Sequence, residues 1–83
     1  MNAVVDKEEL RRTIAGTLDV DVTEVTDDAH FTDELDVDSL MALEVMVVLE
    51  RTYGVKLDES RLPEMTSFQR AYDLLLEHTG QRA

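Results

Sequence analysis

Apolar residues recur at helical spacing in three separate stretches of this chain, and its one strand-like run, Val45–Val48, lies inside the longest of them. Stripes of this kind can be buried only by laying helices against one another, so the expected fold is a small all-α bundle of three main helices plus one short helical turn. In the first helix Leu10, Ile14 and Leu18 fall at i, i+4 and i+8, behind an Asp6–Glu9 pair with capping-box spacing. A central helix is expected to open at Asp38 or Ser39 and run to about Tyr53, with Gly54 as its stop. On a helical wheel it turns Ala42, Val45, Met46, Leu49 and Tyr53 to the core. The last helix is expected to start at Thr66, where Gln69 completes a Thr-x-x-Gln box, and to end at Gly80. It turns Phe68, Ala71, Tyr72, Leu75 and Leu76 inward. Before it, Asp58 can cap one turn over residues 59–62, because Pro63 disfavours helical geometry at Leu62 and blocks continuation.

Residues 19–38 are rich in Asp and Thr and hold no sustained period. They read as a long acidic loop between the first and central helices, pinned by Val20, Val22, Val25, Phe31 and Leu35. A loop of that length in a small domain is often functional. The chain as a whole, 1–83, reads as one domain with a modest core. It has no cysteine, so no disulfide or thiolate metal site can add to that core, and any thiol its function needs must come from a cofactor. The longest nearly apolar run, residues 40–49, is too short to span a membrane, and no secretory signal is visible at the start; the expected location is cytoplasmic.

The net charge is −11, and no Lys or Arg occurs between Arg12 and Arg51, a stretch that holds eleven acids. Nucleic acid and anionic membrane are repelled by such a surface, whereas basic protein surfaces are attracted. The acids either only keep a small domain soluble or also steer partners. Neither Asp19-x-Asp21 nor Asp36-x-Asp38 continues into the ligand set of an EF-hand. His30 and His78 are too few and too far apart for a metal or catalytic cluster, and no nucleophile stands beside a base. The chain is not expected to be an enzyme.

Two features of the central helix are ambiguous on their own. Asp38 and Ser39 are both good N-caps, so Ser39 either caps the helix or presents a reachable hydroxyl at the positive end of its dipole. Leu40, Val47, Met41 and Val48 flank the polar side marked by Glu44 and Arg51; they serve either further bundle neighbours or a docking face.

The run Leu35-Asp36-Val37-Asp38-Ser39-Leu40, followed by Leu43-Glu44, Leu49-Glu50 and Tyr53-Gly54-Val55, resembles the modification site and recognition helix of acyl carrier proteins. Met65-Thr66-Ser67-Phe68 also matches that family in kind and order, and the resemblance covers roughly residues 6–79. It implies that Ser39 receives 4'-phosphopantetheine from coenzyme A, with Asp38 assisting the phosphopantetheinyl transferase. Thioester-bound intermediates would then be presented to a ketosynthase, an acyltransferase or other enzymes with basic docking surfaces, by a monomer. The implied partner face is Leu40, Met41, Glu44, Val47, Val48 and Arg51. The implied acyl cleft is lined by Met46, Leu49, Leu57, Leu62, Met65 and Ala71, all of which also read as core. The family usually has glycine where Asp36 stands. Met41 and Arg51 replace acids typical of the fatty-acid-synthesis members, which points to polyketide or other specialised biosynthesis. Pro63 implies an abbreviated third helix. A peptidyl or aryl carrier, and an unmodified acidic adaptor docking through the central helix, are the alternatives.

Overall fold

The side chain of Asp6 accepts hydrogen bonds from the backbone N–H groups of Glu8 and Glu9 at 2.9 and 3.2 Å, and the first helix starts there. In the computed structural model, which describes residues 5–79, that helix is α1 (Lys7–Leu18), followed by α2 (Phe31–Leu35), α3 (Ser39–Tyr53) and α4 (Phe68–Thr79). The expected all-α bundle is what the chain forms. The five apolar residues of α3 assigned to the core are the five that are buried. They meet Leu10, Ile14 and Leu18 of α1 and Phe68, Ala71 and Leu75 of α4 in one cluster. Gly54 ends α3 with φ of +65°, the left-handed conformation in which a Cβ is crowded.

Several local expectations change. Residues 19–38 are not a plain loop: Val22–Glu24 form a 3₁₀ turn and Phe31–Leu35 a short helix. The turn is held by a reciprocal capping box between Asp21 and Glu24, a pair hidden in the acidic composition. Val22 faces solvent at 38% exposure, so Val25 and Phe31 are the true anchors, with Val20 and Leu35 half-buried. Pro63 does not block the turn after Asp58, which runs as a 3₁₀ helix over Glu59–Glu64. A 3₁₀ backbone avoids the full α-helical clash, and the Met65 N–H bonds the Leu62 carbonyl to close it.

α4 begins at Phe68 rather than Thr66, because Ser67 is the capping residue: its Oγ accepts from the Arg70 N–H at 3.2 Å. Thr66 is spent elsewhere, its carbonyl accepting from the Phe31 N–H at 2.9 Å, while the Phe68 N–H bonds the Ala29 carbonyl at 3.1 Å. Gln69 bonds Asp73 instead of a cap. Leu74 is buried as well, whereas Tyr72 and Leu76 are only half-buried. The expected stop at Gly80 lies outside the described residues.

Candidate functional site

The start of α3 divides the labour that the sequence left open. Asp38 is the cap: its Oδ1 accepts from the Met41 N–H at 2.9 Å, and its carbonyl accepts from the Ala42 N–H. Ser39 is thereby released from capping. Its side chain is exposed and its hydroxyl has no hydrogen-bond partner among the described residues. The N–H groups of Ser39 and Leu40 also remain open there, as the first donors of a helix do when no side chain reaches them.

A groove of about 430 Å³ opens beside this serine. Ser39, Asp38 and Ala42 form one wall, Leu62, Pro63, Met65 and Thr66 the other, and Thr32 and Val37 close it. The two walls come from segments far apart in sequence. The closing segment that holds Thr32 is tied to the second wall by hydrogen bonds between Phe31 and Thr66 and between Ala29 and Phe68, flanked by a β-bridge pairing of His30 with Ser67. Thr32 and Thr66 were missed in the sequence because no helical period reaches across that bridge.

Six residues were assigned to a partner face, and the structure gathers four. Leu40, Glu44, Val47 and Val48 line an almost wholly apolar depression of about 350 Å³ together with Leu43 and Thr17 of α1. Leu40 and Val47 are 66% and 37% exposed. Met41 packs partly against the core, and Arg51 is exposed outside the depression. Leu43 could have been found from its 40, 43, 47 spacing; Thr17 could not, because it depends on how α1 packs.

The six residues assigned to a cleft are spread over three places. Leu62 and Met65 line the groove at Ser39. Met46 and Leu57 line a separate cavity of about 580 Å³, rimmed by Glu50, Lys56, Asp58, Glu59 and His78. Leu49 and Ala71 are fully buried core.

Several acids of the fold, of which Asp58 rims the largest of these three cavities, are held below their ordinary range. The Thr23 N–H does so for Asp21, Arg11 and then Lys7 for Asp27, the Ser60 N–H for Asp58, and Arg61 for Glu64. Among the described residues no group of three His, Asp or Glu could hold a metal ion, and no helix is long and apolar enough to cross a membrane.

The family profile described as the phosphopantetheine attachment site matches residues 8–75. Polyketide-8 synthase acyl carrier protein 2 of Streptomyces avermitilis is 57% identical over 76 residues, covering 92% of this chain and 87% of that protein. The acyl carrier protein of Petrotoga mobilis is 39% identical over 70 residues, covering 84% and 82%. A chain in the solved structure of the ishigamide ketosynthase/chain length factor superposes with a TM-score of 0.74 at 32% identity, covering 89% of this chain and 93% of that one. With a family match across most of its length and relatives this similar, the chain belongs to the acyl carrier proteins, whose 4'-phosphopantetheine is covalently attached.

Proposed function

We propose that Ser39 is the attachment residue and that the chain presents polyketide intermediates to separate enzymes. One observation carries the first part: Asp38 caps α3, leaving the Ser39 hydroxyl exposed and, among the described residues, unpartnered at the mouth of a groove. The residues fit the group. A phosphodiester on Ser39 would stand at the positive end of a 15-residue helix, within reach of the open Ser39 and Leu40 N–H groups. The groove beside it has room for a slender arm without displacing a core residue. When bound, the arm supplies the thiol that holds cargo as a thioester, which the chain itself lacks. The free oxygen of Asp38 stays available to the transferase, as a ligand to its metal or a partner for a basic side chain.

The polyketide assignment is supported by the Streptomyces avermitilis relative, and a ketosynthase as partner by the superposed chain's companion enzyme. The depression beside Leu40, Glu44 and Val47 suits an apolar side chain next to a base on such a partner. A charge of −11 opposes self-association, in keeping with a cytoplasmic monomer, with transferase, ketosynthase and acyltransferase as its partners.

The test is a thiol count. Treated with coenzyme A, magnesium and a broad-specificity phosphopantetheinyl transferase, the protein should gain one phosphopantetheine mass and go from no titratable thiol to one. Fragmentation should place the mass on Ser39. Ser39→Ala should gain neither mass nor thiol, while its stability stays within about 0.5 kcal/mol of wild type because Asp38 is the cap. A folded protein that stays unmodified, or a mass on another residue, would sink the assignment.

A further inference from the structure

We infer that a partner enzyme docks astride α1 and α3, with the methyl group of Thr17 as one wall of a socket for a single aliphatic or aromatic side chain, set beside a base that pairs with Glu44. The inference deepens the docking reading above and rests on it. The socket is the depression of about 350 Å³ in which Leu40, Leu43, Glu44, Val47 and Val48 of α3 meet Thr17 of α1. Thr17 is the one lining residue outside α3, so it is what turns a helix ridge into a concave seat.

Thr17 contributes apolar surface although it is a polar residue. Its hydroxyl donates to the Thr13 carbonyl one turn back at 2.9 Å, as the Thr13 hydroxyl does to the Glu9 carbonyl. With that oxygen spent inside α1, the group left to face an almost wholly apolar lining is the methyl. A β-branched side chain bonded in this way is held in one rotamer. Its helix is fixed in turn by Ile14 and Leu18, which are buried in the core. The socket is therefore formed before a partner arrives, and little ordering is left to oppose docking.

The occupant follows from the charges. Glu44 is the one charged residue of the lining and has no hydrogen-bond or ion-pair partner among the described residues. No Lys or Arg lies between residues 13 and 50, so that stretch offers it no base of its own. An apolar side chain alone would cover Glu44 and leave it unpaired, which is costly; a neighbouring Lys or Arg on the partner removes that cost. A second copy of this chain does not suit, because it would bring Glu44 against an equally acidic surface. Side chains seated in pockets carry most of the energy of an interface, so Thr17 and Val47 should matter more than Arg51, which is exposed outside the depression.

The experiment uses the full chain carrying phosphopantetheine and a thioester cargo, with a ketosynthase that the wild type saturates, and reads KM and kcat separately. Thr17→Phe fills the socket and should raise KM by about tenfold with kcat unchanged, the pattern of lost binding rather than lost chemistry. Thr17→Ser keeps the hydroxyl and its bond to Thr13 but removes the methyl, and should raise KM by about three- to fourfold, as one buried methyl group implies. Thr17→Val, the conservative variant, keeps the methyl in a rotamer that helices favour and should dock as the wild type does. Helical content should match in all of them. If Val47→Glu raises KM while the phenylalanine and serine variants do not, the α1 wall is overturned and docking on α3 stands. A normal serine variant beside an impaired valine one would assign recognition to the hydroxyl and overturn the methyl wall. If neither Val47→Glu nor any Thr17 variant changes KM, docking on this face falls and the socket falls with it. Self-association of the wild type in sedimentation, abolished by Thr17→Phe, would make a second copy the occupant and overturn the partner enzyme.

Discussion

Asp36 ends α2 with φ of 53°, and Asp19 ends α1 with φ of 58°. Left-handed geometry crowds a Cβ against the next carbonyl, and aspartate tolerates it better than most residues but less well than glycine. Each also sets a carboxylate at the negative end of a helix. Glycine at position 36 is the family habit, so the substitution here carries a conformational cost that the sequence alone does not reveal. Asp36→Gly is expected to stabilise the fold by about 0.5 kcal/mol, the relief being partly offset by a more flexible unfolded chain. Asp36→Ala is expected to destabilise it by about 1 kcal/mol. Denaturant midpoints of the three proteins check this, and an alanine variant as stable as the glycine one would remove the strain argument. The acids of this chain are therefore not one population: Asp6, Asp21, Asp38 and Asp58 accept backbone N–H bonds as caps, and Asp19 and Asp36 end helices.

Among the elements, α3 does two things with opposite faces. Its inner five residues make core; its outer ridge, Leu40, Leu43 and Val47, stands beside the apolar depression shared with α1. Val47→Glu is expected to leave helical content intact and to slow transfer to a ketosynthase by about tenfold, since a charge would be buried unpaired in the interface. Glu44→Lys should slow association with a basic partner, by a factor that shrinks as salt rises. Transfer rates measured for both across salt concentrations decide it; unchanged rates would detach docking from this face. The inner face of α3 was legible because burial there repeats with the helix itself. The short elements were not. α2 rests on one buried residue, Phe31, and the start of α4 moves from Thr66 to Phe68 because the Phe31 N–H takes the Thr66 carbonyl and Ser67 caps the helix instead. Groove walls brought together from residues 32, 39 and 66 leave no mark in any one stretch of sequence, whereas Ser39 and Asp38 were legible because one helix start holds both.

At the scale of the whole molecule a single cation ties three parts together. Arg11 reaches the carboxylates of Glu8 and Asp27 and the Val25 carbonyl, and its guanidinium lies 4.5 Å from the Phe68 ring centre. Its side chain is only 13% exposed, so Arg11→Met, which keeps the apolar stem but strips these bonds, is expected to cost about 1–3 kcal/mol by denaturant unfolding; a loss near zero would mean the clamp is incidental. The rest of the charge is less well matched. Eleven acids lie between residues 13 and 50 without a Lys or Arg among them, and among the described residues the ion pairs that reach this stretch from outside it are those of Lys7 and Arg11 with Asp27. Salt weakens the more exposed Lys7 pair, which contributes little, and reaches the largely covered Arg11 pair less, while it also screens every repulsion among the acids. Repulsion wins, so the melting temperature at neutral pH should rise with salt. Because no group of three ligands among the described residues could hold a metal ion, magnesium should act by the same screening, rising smoothly without saturating at one ion per chain. Acid acts with the opposite sign. Glu8, Asp21, Asp27, Asp58 and Glu64 all have their folded values lowered by Arg11, the Thr23 N–H, Arg11 again, the Ser60 N–H and Arg61 respectively. Their contribution is therefore complete above the ordinary carboxylate range and lost as pH falls through the lowered folded values. Melting temperature should hold or rise slightly from pH 7 to about 5, as partial protonation relieves repulsion, and then fall below about pH 4 as the caps and pairs are protonated. A monotonic rise down to pH 3 would mean that repulsion outweighs every native carboxylate contact in the fold.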